Sequence, residues 1–233
     1  GVTEGNIGSA RIIKMLNVVE DSLVVESKGI YSIENYLTSR RLMYWQVYLH
    51  KTAVAYEKVL INALKRAKYL VQQGKQLFCP PALKYFLHNA IDRYWFQNHA
   101  EALTMYEQLD DTDIWCTLKV WQNSEDKILS LLAKDMINRN VFKVEVREKP
   151  VTEEEIYALK DNIAKHFSIT FDDATYLMSV NTIQKDMYDI NDDKIAILYK
   201  DGTLKDISEA SEILNVELLS KKISKYYLCY QRF

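Results

Sequence analysis

Two short runs rich in β-branched residues, MLNVV and LVVES, lie within residues 14–28 near the start of the chain. The turn-forming trio Glu20-Asp21-Ser22 separates them, and this pattern predicts a β-hairpin. From residue 32 to residue 73 there is neither glycine nor proline. We therefore expect one or two long helices that end at Gly74 and Pro80-Pro81. Much of this stretch is apolar on more than one face, which is typical of a helix that runs through the core of its domain.

Further helical patterns follow, separated by short polar breaks, at residues 81–90, 99–109, 111–121 and 124–137. The pattern changes near residue 140, where VFKVEVRE alternates polar and apolar residues as a strand does. Thr152 and Glu155 then form a capping-box start for a helix that reaches His166. Three more strand-like runs complete the chain: ATYLMSV, KIAILYK and KYYLCYQRF.

Asp201-Gly202 lies between KIAILYK and TLKDI and predicts a hairpin with a type I′ turn, because that turn requires positive φ angles. One or two short helices are expected within residues 206–219. The sequence thus predicts a mainly α-helical region with an N-terminal β-hairpin, residues 1–142, followed by a small α+β lobe, residues 143–233.

Charge is nearly balanced over the whole chain, with 30 Lys and Arg against 32 Asp and Glu. No overall field therefore favours nucleic acid or an anionic membrane, and any anion site must be local. One local excess is present between residues 40 and 84, where Glu57 is the single acid among nine cations: Arg40, Arg41, Lys51, Lys58, Lys65, Arg66, Lys68, Lys75 and Lys84. This stretch is either an anion-binding strip or a solvated face balanced by the acidic residues 101–113.

Helical geometry narrows the candidate anion site to one face. At about 100° per residue, four side chains fall within roughly one quadrant of a continuous helix: Arg40, Tyr44, Tyr48 and Lys51. Arginine suits bidentate phosphate contacts, lysine adds a point charge, and a tyrosine ring can lie against a sugar. The alternative is a core helix whose long side chains reach solvent with their polar tips. His50, beside Lys51, is a weaker candidate for an anion contact.

Several functional classes have no support in the sequence. The three cysteines are an odd number without CxxC spacing, so we expect reduced, mostly buried thiols in a cytoplasmic protein. No apolar run is long enough to span a membrane. His88, His99 and Glu101 are metal-ligand types, but they lack a fixed motif spacing, and no nucleophile motif or phosphate-binding loop is present. We therefore predict no catalytic residues and no metal ligands in this chain.

Arg139 and Lys143 form a second cationic pair where the helical pattern gives way to strands. Two interpretations remain open. The cations can cap the end of a helix near Ile137, where its dipole favours positive charge, or they can face a ligand or another subunit at the seam between two regions.

Three segments resemble HD-domain phosphohydrolases of the deoxynucleotide triphosphohydrolase-like group: GVTEGNIGSARII, SRRLMYWQVYLHKTAVAYEKVLINAL and RNVFKVEV. The resemblance covers nearly the whole chain, is stronger up to Val146, and is closest to the Bacteroidetes-type proteins. It is more distant to the vertebrate SAM-and-HD-domain dNTPase. It implies that the helical region is the C-terminal half of an HD-like fold.

The resemblance implies roles for particular residues. Arg40 and Tyr48 match positions that contact the substrate triphosphate and sugar, and Tyr44 and His50 are grouped with them as substrate-binding candidates. Lys51, Arg139 and Lys143 match an effector-nucleotide site between subunits. Leu49 replaces a glutamine of the vertebrate relative, so base recognition is not transferred.

The family's metal ligands match no segment here, so the resemblance places them before Gly1. The absence of an initiator methionine also suggests a fragment of a longer protein. We expect part of a metal-dependent enzyme that hydrolyses deoxynucleoside triphosphates to nucleoside and tripolyphosphate. A nucleotide or other phosphoester and a second copy of the chain are the expected partners, with no membrane and no specific nucleic acid. The alternative is a non-catalytic helical and α+β module for oligomerisation or protein binding.

Overall fold

The computed structural model describes residues 7–185, 194–211 and 223–233. Two compact units are present, and each is built from separate stretches of the chain. Unit 1 contains Gly1–His50 and Thr182–Lys225, and unit 2 contains Lys51–Asn181 and Tyr226–Phe233. The units are thus not divided at a single point near residue 142, because strands from the C-terminal part of the chain pair with earlier strands.

Unit 1 combines a small sheet with two helices and short turns. Its elements are α1 (Ser9–Lys14), β1 (Leu16–Val19), β2 (Ser22–Glu26), α2 (Ile30–Met43), β5 (Ala196–Leu198), β6 (Leu204–Asp206) and α10 (Ile207–Ala210). The strand order is β1-β2-β5-β6, with β2 and β5 parallel and the other pairs antiparallel. Of the helices expected within residues 206–219, α10 is present, and residues 212–219 lie outside the described residues.

The two hairpins of unit 1 are confirmed, but the turn of the second differs from the prediction. Glu20 and Asp21 both have positive φ, 49° and 59°, as a two-residue type I′ turn requires. In the second hairpin the positive φ occurs at Gly202 and not at Asp201. There the Tyr199 N–H donates to the Thr203 carbonyl and the Gly202 N–H to the Tyr199 carbonyl, so the loop has three residues. The predicted type I′ turn at Asp201-Gly202 was therefore wrong, because the loop is one residue longer.

The core of unit 1 lies where α2 packs against the sheet. Its buried residues are Val25, Ile33, Leu37, Ile197, Ile207 and Ala210. Gly29 precedes α2 where the backbone passes close to β2, since a Cβ atom there would lie 2.7 Å from Cγ1 of Val25. This packing fixes the face that α2 turns away from the core.

Unit 2 is mainly helical, as the sequence predicted. Its helices are α3 (Lys51–Gln72), α4 (Pro81–His88), α5 (Arg93–Asn98), α6 (Ala100–Gln108), α7 (Asp111–Trp121), α8 (Lys127–Asn138) and α9 (Glu153–Phe167). Helix α3 is central, with buried residues along its whole length. Helix α5 was missed, and its start is marked by Asp92, whose side chain accepts a hydrogen bond from the Trp95 N–H.

A three-stranded sheet completes the fold, in the order β3 (Lys143–Arg147), β7 (Ile223–Tyr230), β4 (Met178–Lys185). The predicted strand in VFKVEVRE and the Thr152–Glu155 capping box are both confirmed. The strand predicted in ATYLMSV was wrong for its first half, because residues 173–177 form a 3₁₀ turn and β4 begins only at Met178. Where the turn meets β4, the carbonyls of Tyr176 and Met178 accept hydrogen bonds from the buried Asn62 amide.

The cysteines are free, but the expectation that they are mostly buried was wrong: Cys229 is buried, Cys79 is half-buried and Cys116 is exposed. Among the described residues, no helix is both long and apolar enough to cross a membrane.

Asp135, on α8, is a buried acid with an incomplete set of partners. It is 3% exposed, and its Oδ1 accepts a hydrogen bond from the Asn140 side chain, 3.2 Å away. Its Oδ2 and the buried Oε1 of Gln231 have no hydrogen-bond partner among the described residues. Burial raises the pKa of Asp135 to about 6, although the nearby side-chain amides of Gln231 and Asn140 act in the opposite direction.

We predict that Asp135→Asn stabilises unit 2 at pH 8. Because the folded-state pKa lies above the unfolded value, the stability that Asp135 contributes is complete below about pH 4 and is lost as the pH rises through 6. Removing the buried charge should raise the free energy of unfolding by about 1–3 kcal/mol at pH 8 and change it little at pH 4.5. Urea denaturation at both pH values measures this. Asp172→Asn, at an exposed position, is the control, and an equal effect of Asp135→Asn at both pH values would contradict the prediction.

Candidate functional site

A cavity of about 390 Å³ opens on the side of α2 within unit 1. The described residues that line it are Ile7, Tyr36, Ser39, Arg40, Met43, Tyr44 and Tyr48. One guanidinium group and four hydroxyl-bearing side chains therefore surround one space. Ile7 and Met43 add apolar surface.

The last turn of the helix gives the cavity its tyrosine wall. Residues 44–48 form a π-helical turn, in which the Leu49 N–H donates to the Tyr44 carbonyl at 2.7 Å. The rings of Tyr44 and Tyr48 lie 5.6 Å apart between centroids and are tilted by 57°. Single π turns within helices occur frequently at functional sites. The helix then ends, and α3 begins at Lys51.

Arg40 gives the cavity its charge. It is the one formally charged residue among the described residues that line the cavity. Its guanidinium carbon lies 5.9 Å from the centre of the Tyr44 ring. No carboxylate within the described residues forms an ion pair with it. A half-buried, uncompensated guanidinium group beside hydroxyl groups is suited to bind an anion.

Three of the predicted substrate-binding residues, Arg40, Tyr44 and Tyr48, line this one cavity. The predicted single face that also included Lys51 was wrong, because the π turn and the break at residues 49–50 end the helix first. Neither His50 nor Lys51 lines the cavity. The core explanation for the aromatic residues was also wrong, since no residue of the π turn is buried and Tyr48 is 61% exposed.

Four lining residues were missed in the sequence, Ile7, Tyr36, Ser39 and Met43. Tyr36 lies four residues before Arg40, and Ser39 lies four residues before Met43. Residues four apart share a helix face, so extending the Arg40–Tyr44–Tyr48 stripe by one turn would have found Tyr36.

Arg139 and Lys143 occupy different local environments in unit 2. Arg139 is exposed and ends α8 with a left-handed backbone, φ 59°. Lys143 belongs to β3, where its Nζ lies 3.5 Å from Glu145 Oε1 and 5.3 Å from the centre of the Tyr230 ring. The helix-capping interpretation was therefore wrong for Lys143, because its charge is directed to a strand neighbour.

The cationic strip of residues 40–84 does not act as one surface. Arg66 is 7% exposed and forms ion pairs with Asp126 and Asp173, each at 2.6 Å. Lys58 pairs with Glu57, and Lys68 donates to two backbone carbonyls. These three cations are therefore occupied with structural contacts.

The described residues do not offer a metal site. In residues 7–185, 194–211 and 223–233, no three His, Cys, Asp or Glu side chains are close enough together to bind a metal ion. His99 instead stacks on Trp95, with ring centroids 4.0 Å apart.

The chain is similar to one protein family and to proteins from several bacteria. Residues 7–76 match the family described as HD associated region. A phosphohydrolase from Bacteroides thetaiotaomicron has a similar structure, with a TM-score of 0.92 and 60% identity over all of this chain and 58% of that one. The uncharacterized protein YwfO of Bacillus subtilis is 31% identical over 95% of this chain and 49% of its own length.

A hypothetical protein from Aquifex aeolicus has a TM-score of 0.59 and 23% identity over half of its length, which shows a shared fold alone. The chain thus spans about half the length of the relatives it matches. The chain is thus similar to an HD associated region over residues 7–76 and to a phosphohydrolase over its whole length.

Proposed function

We propose that this chain supplies the phosphoester-binding part of a metal-dependent HD-superfamily phosphohydrolase. The reaction is the hydrolysis of deoxynucleoside triphosphates to nucleoside and tripolyphosphate. The divalent metal and its ligands belong to a part of the protein outside these 233 residues. The observation that carries the proposal is Arg40, which lacks an ion pair within the described residues and lines a cavity rich in hydroxyl groups.

The chemistry of the cavity supports this assignment. An arginine fork can hold two phosphate oxygens at once, and its charge is retained at any physiological pH. The tilted rings of Tyr44 and Tyr48 provide flat apolar surface for a sugar beside that phosphate. The similarity to a phosphohydrolase over the whole chain supports the same class of reaction.

Product analysis tests the proposed reaction. A deoxynucleoside triphosphate is incubated with Mn²⁺ and either the 233-residue chain or a gene product that includes the proposed metal ligands, and the phosphates are separated by ion exchange. We expect no turnover by the chain alone, and tripolyphosphate with free nucleoside from the longer protein. Turnover by the 233-residue chain, or release of pyrophosphate by the longer protein, would contradict the proposal.

We also propose that Lys51, Arg139 and Lys143 bind an effector nucleotide between two copies of the protein. Binding across subunits makes assembly depend on nucleotide by mass action. Lys143→Ala should therefore abolish the increase in oligomer size that dGTP causes in wild type, whereas Lys149→Ala, another exposed lysine, should not. Sedimentation velocity measures this. An oligomer whose size changes neither with dGTP nor with Lys143→Ala would contradict the effector site.

A further inference from the structure

Ser39 is a buried residue whose hydroxyl has no hydrogen-bond partner among the described residues. It is 4% exposed, lies on α2 and lines the Arg40 cavity. A buried serine in a helix usually bonds to a backbone carbonyl of the preceding turn. Among the described residues, the Ser39 hydroxyl makes no hydrogen bond, and its Oγ is not fully enclosed by the protein. It is therefore available to a ligand in the cavity.

Tyr36 stands beside Ser39 on the same helix face, three residues earlier. Its ring packs against the core of unit 1, which fixes its position, while the residue also lines the Arg40 cavity. Its hydroxyl makes no hydrogen bond among the described residues. The ring also borders a separate apolar cavity of about 330 Å³, so Tyr36 forms the wall between an apolar and a polar space.

The kind of group that suits these two hydroxyls follows from their chemistry. Serine and tyrosine hydroxyls both donate and accept hydrogen bonds, whereas ionised phosphate oxygens only accept. A sugar hydroxyl can use both capacities. In a deoxynucleoside triphosphate held at Arg40 and against the Tyr44 and Tyr48 rings, the sugar carries one free hydroxyl, at the 3′ position.

We infer that Ser39 and Tyr36 recognise the 3′-hydroxyl of the nucleotide sugar and so determine specificity at the site where Arg40 binds phosphate. This inference rests on the proposed function. Their contribution is selective, because a hydrogen bond to a ligand hydroxyl is lost when the ligand lacks that group. The phosphate contact of Arg40 should be the same for a nucleotide with the 3′-hydroxyl and for one without it.

Calorimetric titration with a deoxynucleoside triphosphate and with the 2′,3′-dideoxy analogue of the same base tests the inference. Ser39→Ala and Tyr36→Phe should each weaken binding of the deoxynucleotide about three- to tenfold and leave binding of the dideoxy analogue unchanged. Ser32→Ala, on the same helix but outside the cavity, and Tyr199→Phe, whose ring packs on the same core, should change neither affinity.

The outcomes separate the inference from the proposed function. Unchanged affinity for both ligands in Ser39→Ala and Tyr36→Phe would overturn the inference, as would an equal loss for both ligands. In either case, the phosphoester site would still be supported if wild type binds the nucleotide and Arg40→Ala binds it more weakly. If wild type binds neither nucleotide, both the inference and the proposed site are contradicted.

Discussion

Arg40→Ala should weaken binding of a deoxynucleoside triphosphate by about one to two orders of magnitude. The substitution removes a charge-assisted contact worth about 1.5–3 kcal/mol, and no other described residue that lines the cavity carries a charge to replace it. Stability should change little, because Arg40 has no ion pair among the described residues. Calorimetric titration and thermal denaturation of the same preparation measure both quantities.

Arg41→Ala is the matched control for Arg40, because Arg41 is the neighbouring arginine on α2 and does not line the cavity. It should keep wild-type affinity. Arg40→Lys keeps the charge but loses the planar fork, so an intermediate affinity is expected. Equal affinities of wild type and Arg40→Ala would contradict phosphate binding at this cavity. A large fall in melting temperature without a binding defect would show that Arg40 is a structural residue.

Arg66→Ala should produce the largest loss of stability, about 2–4 kcal/mol. Arg66 is buried on α3 and donates to Asp126 from Nε and Nη2 and to Asp173 from Nη1. Removing it leaves two partly buried carboxylates without a cation, and breaking a buried ion pair in this way is strongly destabilising. Burial works to lower the pKa of Arg66, but the hydrogen bonds and charges of the two aspartates outweigh it and raise the pKa.

The pH dependence of the stability loss in Arg66→Ala shows whether it comes from the ion pair with Asp126. Burial tends to raise the pKa of Asp126, but the hydrogen bonds from Arg66 and the Leu129 N–H hold it below its usual value of 3.8. A lowered folded-state pKa contributes stability above the unfolded value and loses it as the pH falls through the folded value. The difference between wild type and Arg66→Ala should therefore shrink below about pH 4.

Urea denaturation at pH 7 and pH 3.5 tests the prediction for Arg66. Lys65→Ala, at the neighbouring exposed position, should change stability by less than about 0.5 kcal/mol. A loss for Arg66→Ala no larger than that of Lys65→Ala would contradict a structural role for the ion pairs.

Local patterns predicted much of the fold. The hairpin at Glu20-Asp21 and the capping box at Thr152 and Glu155 depend on residues within one turn of each other, so the sequence contains all the information they need. Arg66 was different. Its partners lie 60 and 107 residues away, so the sequence showed an unpaired cation where the fold has a buried ion pair.

The site was predictable only in part for a similar reason. Arg40, Tyr44 and Tyr48 share a helix face by spacing alone, and this part of the prediction holds in the cavity. The π turn at residues 44–48 ends the helix before Lys51, and the spacing of the tyrosines does not predict it. The prediction therefore placed Lys51 on the same helix face as Arg40, although the helix ends before Lys51.

The central claim is that Arg40 binds a phosphate group of a nucleotide in the cavity beside α2. A crystal structure of the protein soaked with a deoxynucleoside triphosphate tests it most directly. We predict a phosphate oxygen about 2.7–2.9 Å from a guanidinium nitrogen of Arg40, with the sugar between the Tyr48 ring and Ser39. A nucleotide bound elsewhere on the protein, with Arg40 contacting none of its phosphates, would contradict the claim.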